Sequence, residues 1–170
     1  NKVQELSNNI SEQVENIEQN LEDMKLDMLK STEANWEHQK KGEESIEQME
    51  KLLDEIEEMQ ATLKKLEQEA EKGNLLDEDL VQKFNQFQEL LNSMMTPELM
   101  DALQKMQEAI DEMNLEKMLE AAENFEYNLQ QFEQQLDRFI EMFELAIAEQ
   151  KLNELVNSLE SLTENQNNIK

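Results

Sequence analysis

The side chains that could carry acid–base chemistry are abundant, but the chain supplies few of the partners that catalysis requires. It has 41 acidic residues, one histidine and no cysteine. A nucleophilic triad needs a positioned histidine as its base, and the only histidine, His38, lies in a polar stretch beside Trp36. A di-iron bundle needs two Glu-x-x-His motifs, which a single histidine cannot provide. We therefore predict no enzyme activity, no catalytic residues and no cofactor.

The remaining motifs indicate neither metal nor phosphate binding. The acidic run at residues 77–79 lacks the spacing, the central glycine and the closing glutamate of a calcium-binding EF-hand loop. The two glycines, Gly42 and Gly73, are too far apart in the sequence to form a phosphate-binding loop. Carboxylates on solvated helix faces titrate close to their ordinary pKa, so we expect none of them to act as a general acid.

The charge of the chain restricts the classes of partner that it can bind. With 41 acidic and 15 basic residues, its formal net charge is −26. This charge repels nucleic acid and the anionic face of a membrane, because both are bound through clusters of Lys and Arg. No segment of about 18 apolar residues is present to span a bilayer. We expect a protein partner or a homo-oligomer, no specific small molecule and no direct membrane contact. The chain begins at Asn1 and not at Met, which favours a fragment of a larger protein.

The elements that must position any site are helices. Two glycines and one proline are too few to form the turns of a sheet-rich fold. Apolar residues recur three or four positions apart almost throughout the chain, which is typical of helices. Gly73 is suited to end the first helix, while Asp77, Thr96 followed by Pro97, and Asn114 are suited to begin the others. The pattern predicts an all-α fold with helices at about residues 3–72, 77–95, 97–113 and 115–164.

The lengths of these helices predict an elongated architecture. At 1.5 Å per residue the first helix would span about 105 Å, the last about 75 Å, and each middle helix about 25 Å. Short connections make consecutive helices antiparallel neighbours. We expect residues 1–170 to form one elongated module, a long antiparallel coiled-coil hairpin with a short up-down bundle at one end. In this register residues 39–48, which are poor in apolar side chains, lie opposite residues 139–148.

One face of the last helix is more apolar than a two-stranded coiled coil can cover. The seam needs Phe139 and Phe143, whereas Ile140, Met142 and Ile147 fall on flanking positions. An uncovered apolar patch of this kind marks an interface in many proteins, so these residues are the main candidate interaction face. The alternative is that an unexpected register buries them within the chain.

Two further features are secondary candidates for contact with a partner. Residues 32–42, where the apolar pattern lapses, could be a hinge or a docking point centred on Trp36. A single glycine such as Gly42 costs a helix only about 1 kcal/mol, however, and we expect the helix to continue through this interval. Methionines concentrate around the predicted bundle, where Met95 and Met100 are candidates for an adaptable groove. The alternative for the methionines is gap filling in a small core.

Three stretches resemble an uncharacterised family of large, membrane-anchored, Glu- and Gln-rich helical proteins of the bacterial envelope. They are residues 90–106, with a Met-Thr-Pro-Glu-Leu turn, residues 132–141, with a Leu-Asp-Arg patch, and residues 148–152. The best-matching part is about residues 75–165. The resemblance implies an envelope location, as the extracytoplasmic part of a membrane-anchored parent. The family has no assigned activity, so no site residues carry over. We expect Arg138, the only arginine, to pair with acids of the facing helix.

Together these features predict a non-enzymatic scaffold or protein–protein interaction module of a larger envelope protein. The alternative is an amphipathic-helix carrier that opens to cover an apolar ligand or lipid. The regular three–four spacing favours the scaffold, because lipid-covering helices carry broader apolar faces with Lys and Arg at the rim.

Overall fold

The computed structural model describes residues 2–149 and 152–157, and these residues form helices joined by short turns. The expected all-α class is confirmed, since five helices pack together in a bundle. Their bounds are α1 Lys2–Leu29, α2 Trp36–Lys72, α3 Glu78–Met94, α4 Pro97–Glu112 and α5 Leu115–Ile147.

The prediction of one continuous helix over residues 3–72 is wrong, because the chain reverses at residues 30–35. The Ser31 hydroxyl bonds back to the Asp27 carbonyl at 2.9 Å, and Asn35 caps the new helix by accepting the His38 backbone N–H at 3.0 Å. The reversal makes α1 and α2 antiparallel, as the Gln13–Glu55 hydrogen bond shows. Folding back is favourable because each apolar side chain of α1 then packs against two helices instead of one.

The two short helices do not form a reversing pair, contrary to the expectation for consecutive helices. Asn92 of α3 bonds to Gln60 of α2 at 2.6 Å, whereas Ile110 of α4 lies against Gly42, much earlier in α2. Both helices therefore run antiparallel to α2, one continuing the other. The reason is Pro97, which ends α3 through its missing N–H and starts α4 without turning the chain. The 17 residues of α3 and 16 of α4 together match the 33 of α5.

The result is an up-down-up-down four-helix bundle in which α3 and α4 share the third position. Contacts join α1 to α2, α2 to both short helices, both short helices to α5, and α5 back to α1. The Lys25–Glu126 ion pair at 2.9 Å fixes the antiparallel register of α1 against α5. The expected long two-stranded hairpin is absent from the described residues, because the stretch predicted as its first helix folds back into α1 and α2, which pack side by side against the third position and α5.

The core changes in character along the bundle. Toward the α2–α3 turn it is aromatic, with Phe84, Phe87, Phe139 and Phe143 in edge-to-face and stacked contacts at centroid distances of 5.4–6.3 Å. Toward the α1–α2 turn it is built of methionine and small residues. The buried members of this second part include Met24, Met28, Gly42, Ser45, Ala102, Met106, Ala109, Met118 and Ala122.

The last helix is shorter than predicted, since α5 ends at Ile147 and Ala148 occupies the cap position. Residues 152–157 form a further helical segment, in which Leu152, Leu155 and Val156 are buried. The predicted continuation over residues 158–164 lies outside the described residues.

Candidate functional site

The predicted interaction face on α5 is largely covered, so the expectation of an open patch is wrong for its two phenylalanines. Phe139 is 0% and Phe143 1% exposed, and both rings contact Phe87 of α3, at 5.8 and 5.4 Å between centroids. Their partners are α3 and the start of α1, where Gln4 adjoins Phe143, and not residues 39–48. The structure agrees with the alternative, in which an unexpected register between the helices buries these residues within the chain.

The flanking residues of that face are only partly accessible. Ile140, Met142 and Ile147 are half-buried and pack against the main core. Leu145, which the pattern did not single out, is 65% exposed on the outer side of the same helix. An isolated exposed leucine is normal on a protein surface, so this region offers no continuous apolar patch.

Most of the methionines fill the core, as the gap-filling interpretation predicts. Met94, Met106 and Met118 are at most 1% exposed. Met95 is half-buried against the core, whereas Met100 is 41% exposed on α4. The two candidates therefore differ in accessibility.

Trp36 is the most exposed of the sequence-predicted candidates. It is the first residue of α2, directly after the Asn35 cap, and 67% of it is exposed. The Lys40 ammonium lies 5.2 Å from the centre of its ring, within the range of a cation–π interaction. A large exposed aromatic ring of this kind is enriched at protein interfaces.

The tip of the bundle is the end formed by residues 26–41, around the α1–α2 turn, and residues 112–119, around the α4–α5 turn. Leu29 and Met113 are 68% and 37% exposed there. An open groove between the two turns is lined by residues of both, including Ala34 and Leu115. Of the eight large apolar side chains that are exposed among the described residues, four lie in these two segments: Leu26, Leu29, Trp36 and Met113. The sequence pattern did not mark Leu29 and Met113 as exposed, although both fall next to chain-reversing residues.

The turns of the tip are held by specific bonds. His38 is fully buried; its Nδ1 accepts the Asn35 N–H at 3.2 Å, and its Nε2 lies 2.7 Å from Asp27 Oδ2. Because Nδ1 is an acceptor, Nε2 carries the hydrogen atom and donates a hydrogen bond to Asp27. In the α4–α5 turn, Met113 has the left-handed conformation, with φ of 53°, and Asn114 caps α5. The exposed apolar residues therefore lie on turns that hydrogen bonds and helix caps hold in place.

The tip carries little of the net negative charge of the chain. Residues 26–41 contain three acidic and three basic side chains, and residues 112–119 contain two and one. The formal charge of the tip is thus −1, whereas that of the whole chain is −26. Residues 66–83, around the α2–α3 turn at the other end, hold six acidic and two basic side chains. The apolar side chains are thus presented on a nearly neutral surface.

The expectation that all carboxylates titrate ordinarily is wrong for the α1–α5 interface. Burial, a hydrogen bond with Glu133 and the charges of neighbouring acids raise the pKa of Glu18 to about 7. Burial and the charge of Glu133 also raise the pKa of Asp137. The Glu18–Glu133 contact joins α1 to α5, and two carboxyl groups can form a hydrogen bond only when one of them is protonated.

Within the described residues, no group of three or more His, Asp or Glu is arranged to hold a metal ion. None of the described helices combines the length and the apolarity needed to cross a membrane. The predicted ion pair of Arg138 with a facing helix does not form among the residues that the structure describes.

No protein-family model, no curated protein and no solved structure matches the chain. The resemblance to an envelope-protein family therefore gains no support from these comparisons.

Proposed function

We propose that the chain is a non-enzymatic protein–protein interaction module, an acidic four-helix bundle that binds a partner protein through the tip. The observation that carries the proposal is the exposed group Leu29, Trp36 and Met113 at the two turns of one end. Most apolar residues elsewhere in the bundle are buried in the core. Side chains that remain accessible in a group, on turns held by capping and hydrogen bonds, favour recognition of a partner.

The non-enzymatic part of the proposal is supported by the state of the only histidine. Both ring nitrogens of His38 are engaged, one by the Asn35 N–H and one by Asp27. The ring is fully buried, so it has no free nitrogen to move a proton on a substrate. Its role is to stabilise the α1–α2 turn, directly after which Trp36 begins α2.

A photo-crosslinking amino acid placed at position 36 of the full chain tests the proposal inside the producing cell. Position 127 is the matched control, because Tyr127 is also an exposed aromatic residue, at 61% against 67% for Trp36. Discrete crosslinked polypeptides from position 36, with few or none from position 127, are expected. Equal labelling from both positions, or none from either, would contradict the proposal.

A further inference from the structure

We draw no further inference here: the strongest candidate, the group of exposed apolar side chains Leu29, Trp36 and Met113 at the α1–α2 and α4–α5 turns, belongs to the site already described, and nothing in the structure shows what covers it.

Discussion

The carboxyl pair between α1 and α5 makes the stability of the bundle depend on pH in a defined window. Glu18 has a folded-state pKa of about 7 against an ordinary value of 4.5. A raised pKa means that the folded protein binds the proton more tightly than the unfolded chain. The contribution is therefore complete below about pH 4.5, falls as the pH rises, and is lost above the folded pKa of about 7.

The magnitude follows from the difference between the two pKa values. One pH unit corresponds to about 1.4 kcal/mol, so a fully buried Glu18 would contribute about 3 kcal/mol across the window. Glu18 is only half-buried, and solvent screening reduces the effect to about 1 kcal/mol. For a chain of this size that corresponds to about 2–4 °C in melting temperature.

The perturbation that isolates this pair is Glu18→Gln, which keeps a donor for Glu133 at every pH. Thermal unfolding followed by circular dichroism should show the variant melting about 2–4 °C above the parent at pH 8, with little difference at pH 4.5. The control is Glu12→Gln, an exposed residue of the same helix that removes the same charge. It corrects for the general repulsion among the 41 acids. If both variants change the pH profile equally, the contact with Glu133 is not what makes the stability depend on pH.

Three further predictions concern the packing and the capping of the helices. Gly42→Leu should lower the melting temperature by about 4–8 °C, because even a Cβ at this position would lie 2.6 Å from Ile110 Cδ1; Ile110→Ala in the same chain should restore part of the loss. Asn35→Ala should cost about 1 kcal/mol in urea unfolding through the lost cap of α2, and an unchanged midpoint would count against the capped turn. Met94→Ser should cost about 2–5 kcal/mol, whereas Met100→Ser on the surface should stay within about 0.5 kcal/mol; similar costs for both would contradict their assigned burial.

The helix starts were predictable because their signals are local. Thr96 and Pro97 begin α4 where expected, and Asn114 caps α5. The reversal before α2 was not predicted, although Asn35 was available as a cap. Polar residues such as Asn35 occur within helices and at caps alike, and only the tertiary arrangement selects between the two. The candidate site was predicted only through Trp36, since Leu29 and Met113 become neighbours of one end when two distant turns meet.

The sequence by itself determined the helical class, the apolar positions of each helix and the strong negative charge. These depend on side-chain spacing and composition, which act within one or two turns of helix. The tertiary structure alone decided which apolar positions are covered. Phe139 and Phe143 form a suitable exposed stripe on an isolated helix, yet α3 and the reversed α1 bury them. Burial depends on the register between helices, and that register follows from the chain reversal at residues 30–35 and the straight passage through Pro97. Both features are favoured because they bury the most apolar surface in the bundle as a whole.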